Sequence, residues 1–552
     1  MNESHDRHLE RVLELVDGTL FATADRHLTE PELTILRGVW QGWTYDQMAD
    51  RSQYRMNYLM RDVGPKLWKL LTVALGEEVG KGNFRAVAER YAARHQPPTI
   101  LLATPPYSLP QASDRPTLDW SDAPDASLFY GRQEELQTLE RWILTEECRL
   151  IALLGLQGIG KTTLAVELVK RVQPQFQRVI WRSLRTAPAL TDLLTDLLQA
   201  LGQPHRTAEP QQLLASLMAL VRSQRCLIVL DNLESLLQSG ELAGHYREGY
   251  ETYGDFLQHL GEESHQSCLV LTSLEKPREI ARLSGKTLLP VRELLVKGLQ
   301  DAEAKQLLQT KSLVGKPADW TLLIRLYRGN PLALKLIATT IEEVFNGKIA
   351  EFLQQGMLIF GDIPDLLYQP FQRLSAAEKE LLYWLAITQQ PLSLLALQKK
   401  LWLPLPLPTV VETMTSLGRR SLTELVAEAE ETRFTLQPVV QQYVLEQFIS
   451  QVVAELVSYQ QNSVLEQVSL LKSHDLEITE TLVSQVVDRC SIKVANQTRL
   501  FGFIREISQT ISANPYPNYG YLSNNIDNLL REFRRRGVLD HELLPELQKP
   551  DA

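Results

Sequence analysis

The 552-residue sequence holds four cysteines, Cys148, Cys226, Cys268 and Cys490, with neither metal-ligand spacing nor a Cys-x-x-Cys redox pair among them. That excludes a disulfide-stapled secreted scaffold and a cysteine metal centre, and the expected setting is a reducing one. Long apolar runs are equally missing. No stretch approaches the roughly 20 residues that span a bilayer, and the charged opening Met1-Asn2-Glu3-Ser4-His5-Asp6-Arg7 lacks the apolar segment of a signal peptide. A cytoplasmic protein without membrane contact is the expectation. An excess of positive charge is absent too: 57 Lys and Arg against 67 Asp and Glu leave a net charge of −10. Wholesale coating of nucleic acid is thereby disfavoured, although a local basic face fits inside an acidic total.

What is present is length and ordinary globular composition, with 44% hydrophobic and 22% charged residues. Such a chain exceeds one hydrophobic core, and about three to five domains are expected. The clearest linker runs from Gln96 to Ser127, where Pro97, Pro98, Pro105, Pro106, Pro110, Pro116 and Pro124 forbid helix and sheet interiors and favour extended chain. Trp120 within it either anchors the tether against a neighbouring surface or stays partly exposed.

The most informative stretch is Gly155-Leu156-Gln157-Gly158-Ile159-Gly160-Lys161-Thr162. Leu150 to Leu154 before it reads as a buried strand, and Thr163 to Val169 after it has helical periodicity. Glycines let successive backbone N–H groups curl around a polyphosphate, and the helix N-terminus adds positive partial charge. Lys161 then neutralises β/γ-phosphate oxygens, and Thr162 offers a hydroxyl to Mg2+. Further apolar strands are read at Arg178 to Ser183, Arg225 to Leu230 and Ser267 to Thr272, separated by helices, which implies a parallel sheet covered on both faces. Ligands bind such sheets beyond the carboxyl ends of the strands, where the phosphate loop and Asp231 emerge together. Asp231 is suited to holding Mg2+ directly or through water.

Leu128-Phe129-Tyr130-Gly131-Arg132-Gln133-Glu134-Glu135-Leu136, the glycine-rich loop through Thr163 and Leu164, Leu227 to Asn232, and Gly329-Asn330-Pro331-Leu332-Ala333-Leu334 resemble the ordered motifs of NB-ARC proteins. These are the STAND class of signal-transduction ATPases, and cyanobacterial members are the nearest in character. The resemblance covers roughly Leu128 to Phe448. It implies a nucleotide domain at 128–292, a small helical domain at 293–364 and a winged-helix domain at 365–448, with ADP or ATP and Mg2+ held between them. The remainder divides into an N-terminal helical domain at 1–96, the linker at 97–127 and a C-terminal helical region at 449–552. The fold class expected is therefore multidomain: an α/β P-loop domain followed by helical and winged-helix domains, flanked by all-α ends.

The resemblance also implies residue roles. The backbone at Tyr130, Gly131 and Arg132 would meet adenine; Gly155, Gly158, Ile159, Gly160, Lys161, Thr162 and Thr163 would hold the phosphates. Pro331 would pack on the base, and its missing N–H leaves a rigid apolar edge there. Thr162 and Asp231 would hold the metal, and Lys161 and Asp231 would carry such hydrolysis as occurs. Gln437, in Leu436-Gln437-Pro438, stands where many members have a histidine touching the ADP β-phosphate; it can donate a hydrogen bond but carries no charge. Asn232 replaces a frequent second acidic residue, leaving no general base unless Glu234 or another group substitutes. Leu274 replaces an arginine that commonly senses the γ-phosphate after this strand. Tight ADP retention and slow hydrolysis are the expectation.

At the N-terminus, Thr29 with Glu32 reads as the cap of a helix beginning at Leu28 to Leu36. A short helix at Thr44 to Ala49, a turn at Ser52 to Tyr54 and a longer helix at Met56 to Leu71 follow. The arrangement resembles a LuxR-type helix-turn-helix, and more closely the N-terminal module attached to cyanobacterial NB-ARC proteins. Arg51, Arg55, Arg61, Lys66 and Lys69 against Asp62 make it locally basic, whereas Pro65 interrupts the stretch and Met56, Tyr58 and Leu59 offer few base-edge donors. Residues 28–71 are thus read as a DNA-binding or a protein-interaction module. Beyond Phe448 the text is amphipathic helix, broken at Asn514 to Tyr521, without the WD or pentapeptide repeats into which relatives often continue; the sensor is then either lost or supplied by a partner. Three functions remain open: a nucleotide-controlled switch that self-assembles on opening, a DNA-binding regulator gated by nucleotide, and a scaffold holding nucleotide only for structure. Transport ATPases are disfavoured, because Leu283-Ser284-Gly285-Lys286 is a fragment of their signature and follows the Asp231 strand.

Overall fold

Thr29 opens the helix Glu30–Trp40 in extended backbone, and the Glu32 carboxylate reaches back to the Thr29 N–H at 2.9 Å, as the Thr-x-x-Glu spacing requires. The computed structural model describes residues 28–94, 117–458, 463–493 and 521–536, with gaps at 53, 76, 78, 121, 127–128, 204–208, 286–288, 357, 402–404, 428–430 and 472–475, together with residues 13, 16, 19, 20 and 26. The charged opening, most of the proline-rich segment, Leu128, Lys286 and most of the break at Asn514 to Tyr521 lie outside the described residues.

The chain divides into two units, Met1–Gln111 and Ala112–Ala552. In the first, the helices Glu30–Trp40, Tyr45–Asp50, Gly64–Leu75 and Phe84–Arg94 enclose Ile35, Leu36, Leu59, Leu67, Leu71 and Phe84, all fully buried. Pro65 does not end its helix, contrary to the reading of an interruption. Residues Tyr58–Val63 wind as a π-helix that runs straight into Gly64–Leu75, and the wider turn absorbs the missing proline N–H. A Cβ on Gly64 would stand 2.8 Å from the Tyr45 hydroxyl and 3.0 Å from the Leu59 carbonyl, so a larger residue here would push the Tyr45 side chain aside.

The second unit is built on a six-stranded parallel sheet of β1 (Thr117–Asp119), β2 (Leu150–Leu154), β3 (Arg178–Ser183), β4 (Cys226–Asp231), β5 (Cys268–Ser273) and β6 (Val291–Leu295), in the order β1-β3-β4-β5-β2-β6. Side chains alternate between two cores. Leu150, Ala152, Cys226, Ile228 and Leu230 face one; Ile151, Leu153, Leu227 and Val229 face the other, under the helices Gln133–Leu144 and Lys161–Val172. Helices on both sides explain why β2, β4 and β5 are buried along their whole length. Two strands fall where the sequence placed none. β1 lies inside the expected linker, pairing with β3 from Thr117↔Arg178 to Asp119↔Ile180 and held by an Arg182–Asp119 ion pair at 2.7 Å; an edge strand starting just after Pro116 loses no ladder bond to that proline. β6 runs through the expected boundary at 292, paired with β2 as far as Leu295.

After the sheet, the helices Asp301–Leu308, Pro317–Leu326, Pro331–Val344, Ile349–Gln354 and Ile363–Gln372 pack around Ala304, Leu323, Leu334, Ile337, Ile341 and Phe352. Helices Ala376–Thr388, Leu394–Lys400 and Leu407–Arg419 lead to an antiparallel hairpin of β7 (Glu424–Ala427) and β8 (Thr432–Thr435). Leu392 adds a third rung, exchanging backbone hydrogen bonds with Phe434 at 3.0 and 2.8 Å. The helix Pro438–Ser458 then passes unbroken through the expected boundary at 448, because Val444, Phe448, Val452 and Leu456 join one core with Trp384 before it and Val486, Leu529 and Phe533 after it.

Candidate functional site

The loop after β2 is held open by its glycines: Gly155, Gly158 and Gly160 have φ of 146°, 75° and 98°, values that favour residues without a Cβ. Lys161 and Thr162 open the helix Lys161–Val172 at the carboxyl ends of β2 and β4. The Lys161 ammonium folds back on its own loop, donating to the carbonyls of Gly155 (2.9 Å) and Leu156 (3.1 Å). It is only 8% exposed, and burial pulls its pKa down from 10.5 to about 8 against the pull of Glu234 and Asp231. A cation buried among carbonyls is poised for an anion.

Asp231 closes β4. Its Oδ1 accepts from Thr162 Oγ1 at 2.8 Å and from the Thr272 hydroxyl on β5, so strand and helix present a hydroxyl–carboxylate pair to one point. Among the described residues no cluster of three or more His, Cys, Asp or Glu could hold a metal alone. The Thr162–Asp231 pair fits Mg2+ that keeps most of its ligands from phosphate and water. Asn232 sits in the left-handed region at φ 66°, its amide directed to Glu234 Oε1 at 3.3 Å, while Glu234 Oε2 accepts from the Leu274 N–H at 3.2 Å.

A cavity of about 710 Å³ lies over this group, lined among others by Lys161, Thr162, Arg185, Asn232, Glu234, Lys335 and Arg373. Four basic side chains against one carboxylate suit a polyphosphate. Pro331, Lys335, Gly160 and Thr163 continue into a smaller hollow of about 70 Å³ with Phe129, Tyr130, Arg132, Leu299 and Leu307, an apolar slot beside the loop. Gly131 and Arg132 both adopt positive φ at its rim. The Arg132 guanidinium, almost fully buried, donates to the Ile159 carbonyl at 3.0 Å, tying the rim to the glycine-rich loop. Its backbone N–H donates to Glu303 Oε1 at 3.0 Å. Glu303 was not singled out in the sequence; its other oxygen caps the helix Asp301–Leu308 through Gln300 N–H at 3.1 Å, and that Gln-x-x-Glu box is the signal that marks it.

Gly329-Asn330-Pro331-Leu332 meets the loop directly. Asn330 Nδ2 donates to the Gln157 carbonyl at 3.0 Å, Leu332 N–H to the Gly158 carbonyl at 3.3 Å, and a Cβ on Gly158 would stand 2.7 Å from that of Leu332. Gln437 lines a different space, a cleft of about 880 Å³ that it shares with Gly155, Leu156, Arg328, Asn330 and Phe434.

Residues 144–274 match a family model described as "AAA domain", and residues 7–91 match one described as "vWA-MoxR associated protein N-terminal HTH". An uncharacterized WD repeat-containing protein of Nostoc sp. is 46% identical over 362 residues, 62% of this chain and 28% of that protein; the chain thus spans under a third of the relative's length. Among solved structures, a STAND protein with a tetratricopeptide repeat sensor from Pyrococcus horikoshii is 18% identical, with 78% of this chain and 60% of that one covered at a TM-score of 0.30. A Walker-type ATPase of Pyrococcus abyssi is 16% identical, covering 60% and 98% at a TM-score of 0.40. No helix among the described residues is long and apolar enough to cross a membrane. The parallel-sheet part of the chain is a P-loop domain similar to the AAA type, and the N-terminal unit is a helical helix-turn-helix domain.

Proposed function

We propose that the chain is a STAND-class switch of NB-ARC type, in which ADP holds the second unit closed and ATP opens it for self-assembly. The observation that carries this reading is the contact of Asn330 and Leu332 with the carbonyls of Gln157 and Gly158. Any change in the phosphate loop is felt at once by the helical layer, and the helical layer can in turn grip or release a phosphate. A decisive shift of such an equilibrium needs about 5 kcal/mol of differential binding, which contacts spread over three bodies supply. The helices Ala376–Thr388, Leu394–Lys400 and Leu407–Arg419 with the β7–β8 hairpin and the Leu392 rung support a winged-helix reading of the third body. Adenine would enter the slot beside Tyr130 and Pro331, and Mg2+ would sit by Thr162 and Asp231. Asn232 lacks a proton-accepting charge, which favours slow hydrolysis. Extraction of nucleotide from protein purified without additions tests the reading: stoichiometric ADP in the wild type, lost in a folded Lys161→Ala, supports it, and an empty folded wild type overturns it.

A second reading concerns the N-terminal unit, where Arg51, Arg55, Arg61, Lys66 and Lys69 are all exposed. Five cations on a helix-turn-helix support a DNA partner reached when the switch opens. Full-length protein should shift duplex DNA in a strongly salt-dependent way, and Arg55→Glu with Lys66→Glu should abolish the shift. Salt-insensitive or absent binding would point to a protein partner.

A further inference from the structure

We propose that Arg373 is the residue of this chain that reads the terminal phosphate, in place of the loop position filled by Leu274, and that Glu275 holds it in reserve. This rests on the nucleotide reading above. Leu274 and Arg373 both line the cavity over Lys161 and Thr162, so the chain has an apolar side chain on the loop after β5 and a guanidinium facing it from the end of Ile363–Gln372.

Besides Lys161, which is bound to the carbonyls of its own loop, two other cations share the cavity. Arg185 is exposed, and Lys335 belongs equally to the apolar slot beside Pro331. Arg373 is 14% exposed and is aimed by its neighbours: its guanidinium pairs with Glu275 and donates to the Leu237 carbonyl at 2.9 Å, and its own carbonyl accepts from the Gly240 N–H at 3.0 Å. The placement is thus fixed from both ends.

The partner is arranged to let go. Glu275 Oε1 is shared by Arg373 and by Arg420 Nη1, the latter at 2.5 Å, while the buried Oε2 has no hydrogen-bond donor among the described residues. When Arg373 turns to a phosphate, Glu275 keeps Arg420, and no carboxylate is left buried without a cation. Arg420 is itself anchored to Glu378 at 3.0 Å and to the Glu241 carbonyl at 2.6 Å. Arg373 therefore exchanges between two anions at the seam that joins the sheet to the helices after it, and the added phosphate of a triphosphate is the ligand that draws it away.

The test uses full-length protein, with ADP and the non-hydrolysable AMP-PNP titrated by calorimetry into wild type, Arg373→Gln, Arg373→Lys, Glu275→Gln and Arg185→Gln. Arg373→Gln should lose about tenfold in AMP-PNP affinity with ADP changed less than about threefold, and Arg373→Lys should retain part of the difference. Glu275→Gln, which weakens the competing anion, should change AMP-PNP affinity in the opposite direction, and this variant decides the matter where Arg373→Gln fails to fold. Equal loss for both nucleotides in Arg373→Gln, or a selective loss in Arg185→Gln alone, would overturn the proposal. A wild type that binds ADP but shows no Arg373 effect leaves the switch reading standing and removes this one; a wild type that binds neither nucleotide removes both.

Discussion

Asn330 Nδ2 lies 3.0 Å from the Gln157 carbonyl while its Oδ1 accepts from the Leu332 and Ala333 N–H groups at 3.1 and 3.2 Å. One side chain thus caps the helix Pro331–Val344 and fastens it to the glycine-rich loop. Asn330→Ala should cost about 1–2 kcal/mol of unfolding free energy for the cap alone. It should also raise the ADP dissociation rate several-fold, because the helical layer no longer leans on the loop. Stopped-flow release of a fluorescent ADP analogue checks this, and an unchanged rate in a destabilised protein would reduce Asn330 to a cap.

Lys161 is buried with its pKa drawn down to about 8 by desolvation. Below pH 8 the folded protein therefore carries a charge that the unfolded chain solvates better, a cost of about 1–3 kcal/mol that fades as pH climbs from 8 toward 10.5. In nucleotide-free protein, Lys161→Met should accordingly be more stable than wild type at pH 7, with the gap closing by pH 10. Urea titrations at the two pH values decide the point; a less stable Met variant at pH 7 would mean that the two carbonyl contacts outweigh desolvation.

Asp231 receives hydroxyls from Thr162 and Thr272. Asp231→Asn keeps the size and removes the charge, so Mg2+ should cease to strengthen ATP binding while metal-free binding changes little. Titrations with and without EDTA separate these outcomes. A Mg2+ effect preserved in the variant would move the metal site elsewhere.

Asn232→Asp would set a carboxylate facing Glu234 at the present 3.3 Å amide contact, and two like charges that close raise the pKa of one. A base nearer neutrality should increase phosphate release about tenfold, with a pH profile rising between about 5 and 7. Brisk hydrolysis in the wild type would contradict the expectation of slow turnover.

The strand–loop–helix of the phosphate site and the strand carrying Asp231 were legible because continuous apolar runs and glycine spacing are local signals. Thr29 with Glu32 and the Gly329–Leu334 helix start were legible for the same reason. What the sequence hid depends on distant pairing. Glu303 lies 171 residues from Arg132, Arg420 lies 42 from Glu378, and β1 is three residues in a proline-rich tract whose partner is β3. The boundary at 448 came from the extent of the resemblance, whereas the helix Pro438–Ser458 and its core run through it.

The short strand β1, parallel to β3 and pinned by Asp119 to Arg182, also has a mechanical meaning. Three ladder positions and one ion pair tie the chain to the sheet edge at residue 117, so the sheet has a fixed point of attachment on the amino-terminal side of the phosphate loop.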